Sequence, residues 1–335
     1  MKNKLSIAIA FGLSTMCIAT SGYSAGHEKM GKSFSIGGDV ELDIIASEDE
    51  NDSNFDHGGR IKLNAVGMVT NDNGYFGKGV AQPLVLFNPG DTNILIEQET
   101  TTYPGNDAIE VDDLYFQFGK TNTWDVQIGR FEAINLVPLG KDTLVANVGG
   151  VQVYEANIAR GRKDDVLHTA FHVGNSDKFL FELGVMANKS GDDEFTAIRP
   201  AMTYNFGNIK LHAGLESISD NDSDFDGFGI GAGFKLGGGD LNVSYAHGEH
   251  ENDDEVDTFA VNYTIGGFGA GYLHSEADGA GSDDPSVDTL YAAYTMPLLN
   301  LKDASVTFAV NTSKADNVGD NDTLNAAKLR FNYTF

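Results

Sequence analysis

Apolar side chains return at every second position, in short segments, from near residue 34 to the last residue of the chain. Val40, Leu42 and Ile44 alternate with Asp39, Glu41 and Asp43, and Ile61, Leu63 and Ala65 alternate with Arg60, Lys62 and Asn64. The pattern recurs in Phe259, Val261, Tyr263 and Ile265, then in Leu290, Ala292, Tyr294 and Met296. It closes the chain, where Leu329, Phe331, Tyr333 and Phe335 alternate with Lys328, Arg330, Asn332 and Thr334. A strand turns successive side chains to opposite faces, so each segment carries one greasy face and one polar or charged face. Past the N-terminus no stretch approaches the roughly 20 apolar residues of a membrane helix. Repeated short two-faced strands are the signature of a wall between lipid and water, a transmembrane antiparallel β-barrel.

The connections separate a barrel from a sandwich. Some are tight: Asn71 to Gly74, Lys120 to Thr123, Asn175 to Lys178, Gly237 to Asp240 and Leu298 to Leu301. Others are long and acidic: Ser47 to Asp56, Asn188 to Glu194, Ser219 to Asp226, Gly248 to Glu255, Glu276 to Pro285 and Ser313 to Asp322. Over most of the chain the two kinds alternate, as short turns on one membrane side and long loops on the other would. This rhythm predicts an all-β, up-and-down barrel of 16 strands. They fall near 34–45, 59–69, 75–86, 108–119, 123–132, 164–174, 178–188 and 194–206, then near 208–218, 225–236, 240–248, 256–266, 267–275, 287–297, 302–312 and 323–335. Residues 150–159 look strand-like, but counting them alone makes the total odd, so 133–163 is read as one long third loop. An alternative of 18 strands promotes 93–98 as well. Either width leaves an aqueous channel.

The N-terminus reads as a secretory signal peptide over residues 1–25: Lys2 and Lys4 precede an apolar stretch from Leu5 to Ala19, and small residues follow to Ala25. The barrel domain is then 26–335. The single cysteine, Cys17, falls inside the signal behind Met16, so the mature chain has no thiol chemistry and no disulfide. Net charge is −27, and −29 without Lys2 and Lys4, because residues 1–25 contain no acid. That excludes nucleic-acid binding. No cofactor or metal is implied. Asp222 to Gly227 imitates a calcium loop, but the twelfth position is Gly233, not the required Glu. His247 and His250 lack a third ligand, and His168 with His172 read as lumen lining. Gly227, Gly229 and Gly231 precede no helix, so they make no phosphate loop.

The stretch Gln127-Ile128-Gly129-Arg130-Phe131-Glu132, then Leu136-Val137-Pro138-Leu139-Gly140-Lys141-Asp142-Thr143, ending in Gly161-Arg162, follows the strand expected to be fifth. By these residues, and by its whole mature length, the chain resembles the trimeric general-diffusion porins of Gram-negative outer membranes. The order of this stretch is similar to that of the raffinose-type glycoporins. The resemblance implies an outer-membrane location, a homotrimer, lipid and lipopolysaccharide around the barrel, and small hydrophilic solutes or sugars inside it. It implies a third loop, 133–163, folded into the pore, and a C-terminal strand whose Phe331, Tyr333 and Phe335 are read by the barrel-assembly machinery. The general porins' Pro-Glu-Phe-Gly-Gly loop signature is absent, so their acidic constriction residues do not carry over.

Porin constrictions order water with opposed basic and acidic groups in a narrow neck. The wall candidates here are Arg60 and Lys62. Arg130 shares parity with Ile128 and needs a bulge at Gly129 to turn inward. The loop offers Lys141, Asp142, Glu155, Arg160, Arg162 and Lys163, with Tyr154 as a stacking platform for sugar rings. Glu110, Asp112 and Asp113 stand where the family carries a fourth-strand arginine, which tilts the expectation toward cations. At the barrel seam Asp39, Glu41 and Asp43 are expected to face Lys328 and Arg330, with Glu41 near Lys328 and Asp39 near Arg330. A passive channel is the leading reading. A barrel enzyme, protease or lipase, is the rival, but no Ser/His/Asp constellation can be assembled; an adhesin or receptor role is compatible with a pore.

Overall fold

In the computed structural model the described residues are 31–87, 109–141, 143–190, 193–221, 224–251, 254–279 and 284–335. Residues 1–25, expected to be a signal peptide, the 93–98 segment and Asp142 lie outside them. Sixteen strands follow in chain order: β1 (Gly31–Asp49), β2 (Ser53–Thr70), β3 (Tyr75–Phe87), β4 (Ile109–Lys120), β5 (Trp124–Arg130), β6 (Leu167–Asn175), β7 (Phe179–Ser190) and β8 (Asp193–Phe206). The second half comprises β9 (Ile209–Asp220), β10 (Asp224–Leu236), β11 (Gly239–His250), β12 (Glu255–Ile265), β13 (Phe268–Asp278), β14 (Ser286–Pro297), β15 (Ala304–Asp316) and β16 (Thr323–Thr334). Each pairs antiparallel with its sequence neighbours, and β16 pairs with β1 to close the barrel. Residues 150–159 form no strand, so parity placed them correctly in the loop.

The chain is built inside out. Phe34, Ile61, Phe116, Ile198, Leu215, Ile230, Leu290 and Val310 are all exposed on the outer face. There they meet hydrocarbon rather than a core. Aromatic pairs two residues apart stack on that face, among them Phe116 with Phe118 and Tyr333 with Phe335, at centroid separations of 6.0 and 6.2 Å.

Several connections expected to be long loops are strand. β1 runs to Asp49 and β2 begins at Ser53, so most of the acidic stretch from Ser47 to Asp56 lies on the wall. The turn between them is tied by the Asp49 carboxylate, which accepts the amides of Asn51 and Asp52 at 2.8 and 2.7 Å. Asp and Asn disfavour strands on average, but the ladder of the neighbouring strand carries them here. Strands of 18 or 19 residues such as β2 and β1 overshoot the roughly 9–11 residues needed to cross a membrane. The barrel therefore ends in a tall acidic rim.

The seam closes four residues out of the expected register. Asp43 stands opposite Arg330 and Glu41 opposite Asn332, while Lys328 faces Ile45. The cause is the length of β1, which begins at Gly31 and leaves the terminal Phe335 to pair with Gly38 through two backbone hydrogen bonds. Arg330 clasps Asp43 with Nε and Nη2 at 2.7 and 2.6 Å.

Residues 131–166 leave the wall after β5 and run inside the barrel. Their apolar side chains pack on the inner wall from β7 to β16, forming three buried hydrophobic clusters among the described residues.

We expect Arg330→Ala to strand a largely buried carboxylate at the closure and lower stability by about 1–3 kcal/mol. The folded-to-unfolded mobility shift on heating in detergent should then occur at lower temperature than in the wild type.

Candidate functional site: the neck of the lumen

The infolded loop makes a return journey along one half of the wall. Its outbound limb receives a hydrogen bond from Arg199 of β8 on the Ile134 carbonyl (2.9 Å), and from Asn262 of β12 on Pro138 (2.6 Å). Tyr291 of β14 donates to Leu139 (3.1 Å), and Lys328 of β16 to Thr143 (3.0 Å). At the tip, Ala146 exchanges two hydrogen bonds with the Asn311 amide of β15. On the way back Ser275 of β13 donates to Gln152, and Thr258 of β12 accepts the Tyr154 amide. Each of these crossings is made by a polar wall residue meeting a loop backbone group that would otherwise be buried unpaired.

One buried cluster ties the two limbs together. Arg199, 1% exposed, gives Nη2 to the carbonyls of both Ile134 and Ala156. Glu216 accepts the Tyr154 hydroxyl at 2.7 Å and the amides of Ile158 and Ala159 at 3.1 and 3.0 Å. Glu182 accepts the Ile134 amide at 2.9 Å and meets His172, whose other nitrogen meets Asp125. Both carboxylates lie within 3.6 Å of the Arg199 guanidinium.

The wall makes room by losing side chains. A Cβ on Gly229 would stand 2.8 Å from that of Ala156 and 2.9 Å from that of Leu136, and one on Gly227 would collide with the Tyr154 hydroxyl. These glycines, which make no phosphate loop, form a seat for the loop.

The opposite arc of the neck, β16 through β4, carries charge. Arg60 bridges Glu41 at 3.0 Å and Asp39 at 3.7 Å; Arg330 reaches Glu41 at 3.6 Å besides Asp43. Lys62 meets Asp112 at 3.5 Å. A bulge sets Gln82 against both Asp112 and Asp113, which turns both acids toward Arg162, at 2.9 Å each. Arg162 also approaches Glu132, which Arg160 holds at 3.0 Å. Burial opposes the Arg162 charge, yet Glu132, Asp112 and Asp113 hold its pKa above the usual arginine value. Acid and base therefore alternate along one arc instead of confronting each other across the pore. Asp112 and Asp113 of β4 do not leave the neck negative, because Lys62 and Arg162 pair with them.

Several expected site residues fall elsewhere. Tyr154 is 1% exposed, edge-on to Phe225, with its hydroxyl held by Glu216, so it offers no face to a sugar. Arg130 does not join the inward ladder. It lies opposite the exposed Leu114 and donates Nε to the carbonyls of Val111 and Asp112, where β5 has ended and β4 would otherwise lack a partner. Gly129 takes φ +135° without turning Arg130 inward. Lys141 rides on the outbound limb against Gly269, and Lys163 lies over the Phe195 ring at 4.9 Å. Glu155 keeps partial contact with the lumen; burial holds its carboxyl up to about 7, with Arg160 opposing.

Arg199, Glu182 and Glu216 were missed by the pattern reading. Each is a charged residue at an inward position of a strand, and that parity was the available signal.

A closed, lipid-faced barrel with a loop laid inside it and a polar passage beside that loop is an aqueous membrane channel. Residues 33–195, which include the whole infolded loop, match the family described as porin-like glycoporin RafY. No curated protein sequence is similar enough to the chain to count as a match. Among solved structures it is similar to an anion-selective porin from Comamonas acidovorans, at 13% identity over 91% of this chain and 100% of that one, with a TM-score of 0.64. It is also similar to OmpT of Vibrio cholerae (14%, 93% and 99%, TM-score 0.61) and to a mutant of the Rh. blastica porin (16%, 90% and 100%, TM-score 0.58). At such identities these structures speak for the fold. The match over 33–195 and the barrel fold together make the chain a porin-type, passive-diffusion channel of the outer membrane.

Glu216→Ala should release the loop while leaving the barrel ladder intact, since no strand hydrogen bond is lost. Taking away one of the two carboxylates beside Arg199 and the acceptor of the loop amides costs docking about 3–5 kcal/mol. Trypsin should then cut at Arg160 or Arg162 in the folded barrel, and single-channel conductance should rise and grow noisy.

Proposed function

We propose that this porin passes small hydrophilic solutes, short saccharides among them, and favours cations through its mouth rather than its neck. One observation supports both halves of this reading: the charges of the neck neutralise one another within a single arc. The remaining net negative charge then belongs largely to the rim, where Asp49, Glu50, Asp52 and Asp56 crown β1 and β2, and Glu249, Glu251, Asp254 and Glu255 crown β11 and β12. An acidic mouth concentrates cations before they reach the constriction.

Toward the short-turn side of the paired charges the exposed arc is polar and weakly charged. Gln82 donates to Asn64 on this wall, Gln117 stands opposite Gln127 across β4 and β5, and Tyr115 of β4 receives Lys78 on its hydroxyl at 3.1 Å. Carboxamides offer donors and acceptors at once, and a tyrosine ring offers an apolar face, which together match the hydroxyls and ring faces of a sugar. Tyr115 takes the role that Tyr154 cannot fill. The family assignment speaks for a channel and against an enzyme. Homotrimer formation, lipopolysaccharide contact and reading of Phe331, Tyr333 and Phe335 by the assembly machinery belong to the same proposal, which the outward-facing Tyr333 and Phe335 support.

In planar bilayers the reversal potential across a potassium chloride gradient should indicate cation preference. Glu155, with its carboxyl up to about 7, is neutral below that pH and adds a negative charge above it. Cation preference should therefore rise as pH passes upward through about 7, and Glu155→Gln should flatten that rise. A trisaccharide added to one side should interrupt the current briefly; Tyr115→Ala should shorten the interruptions several-fold, while ohmic conductance without any interruption would remove saccharides from the solute list.

A further inference from the structure

The wall is uneven where the barrel closes, on the side of the short turns. β1 pairs with β2 as far down as Gly31 opposite Thr70, and β2 with β3 as far as Thr70 opposite Phe76. Pairing of β1 with β16 stops at Asp39 opposite Thr334, followed only by two backbone hydrogen bonds between Gly38 and Phe335. Strands tilted by roughly 35–45° offset their neighbours by about one residue, so tilt does not account for the step. Residues 31–36 are exposed on both faces, whereas from Asp39 to Asp43 half-buried and exposed residues alternate. Gly38 turns its N–H and C=O toward β16, so alternation turns those of Ile36, Phe34 and Lys32 the same way. Among the described residues no strand lies beside this stretch of edge.

An open edge is a template for an added strand, and its side chains specify the partner. Ile36 and Phe34 point outward, 48% and 59% exposed, and continue the lipid-facing line of Val40 and Leu42. Backbone groups left open beside lipid are costly, so an occupant gains more here than at an edge in water. Ser33 and Ser35 share the lumen-facing parity of Glu41 and Asp43. Lys32 ends the outward line, exposed and in no ion pair among the described residues. A strand added antiparallel to β1 sets its side chains opposite these on the same face. From its N-terminal end it meets Ile36, then Phe34, then Lys32, which calls for apolar and polar residues in alternation and then an acid.

Two nearer occupants fail on geometry. Counted from cleavage after Ala25, residues 26–30 would spend two positions on a turn and reach no farther than Ser33. The same edge of a second copy in the same membrane also rises from the short-turn side. Two such edges cross at roughly 70–90° and form no ladder.

We propose that the foot of β1, from Lys32 to Ile36, is a docking edge for an extended segment of a periplasmic protein. The segment places apolar side chains opposite Ile36 and Phe34 and a carboxylate opposite Lys32. The site is separate from the lumen and does not depend on which solutes the pore carries.

The test uses the folded mature barrel in detergent and fluorescent heptapeptides followed by anisotropy. One peptide is Thr-Val-Thr-Val-Thr-Glu-Thr, a second carries Lys in place of Glu, and a third has its valines adjacent. Wild type should bind the first about fivefold more tightly than either of the others. Phe34→Pro removes an N–H that faces the gap and leaves the ladder to β2 intact. It should weaken binding about tenfold, as loss of one hydrogen bond does. Lys32→Glu should reverse the preference between the first and second peptides. Conductance of both variants should match wild type and so report an intact barrel. Equal binding by wild type and Phe34→Pro, or an unchanged preference in Lys32→Glu, would overturn the proposal. So would binding only by a chain that starts at Gly31, which would give the edge to residues 26–30. Binding only by dissociated chains would give the edge to a second copy and overturn it as well.

Discussion

The neck of this channel depends on a guanidinium buried where a barrel wall would otherwise meet only water. Arg199 holds the carbonyls of both loop limbs and lies between Glu182 and Glu216, which in turn hold the loop amides. Three charges out of solvent are costly unless every one is partnered, and here the loop backbone supplies the missing partners. Barrel and loop are thereby one unit: without the loop the wall has an uncompensated charge cluster, and without the cluster the loop has unpaired backbone.

Around that anchor the inner wall divides into two chemistries. From β10 to β15 most of its inward positions are small, hydroxylic or carboxamide, among them Gly229, Ala246, Thr258, Ala260, Thr289 and Ala309. The loop brings the bulk, with Leu136, Leu139, Leu144 and Tyr154. From β1 to β4 the inward side chains are long and charged, and they remain for the solute. Small residues on one arc and large ionised ones on the other decide which side of the barrel the passage takes.

Much of this was legible before any coordinates. Alternation and the two kinds of connection gave 16 strands, and parity kept 150–159 inside the loop, because an even count is forced when both ends of an up-and-down barrel meet. The seam register was off by four residues since nothing in the apolar pattern marks Gly31 as the start of β1; an even shift preserves every facing, so the pattern is blind to it. Tyr154 was misread because an aromatic in a loop looks the same whether it faces a pore or a wall. The seat of Gly227 and Gly229 was hidden for a related reason: close approach is a property of two distant segments, and neither sequence states it alone.

The tip of the loop is fastened by Thr143 to Lys328 and by Ala146 to Asn311, on the last two strands of the chain. Contacts so far apart in sequence form late. A partly built wall has no place to fasten the tip, so the passage narrows only when the C-terminal strands have arrived. Closure of the cylinder and calibration of its bore are then a single event, and a chain that stalls before its final hairpin carries an unset gauge.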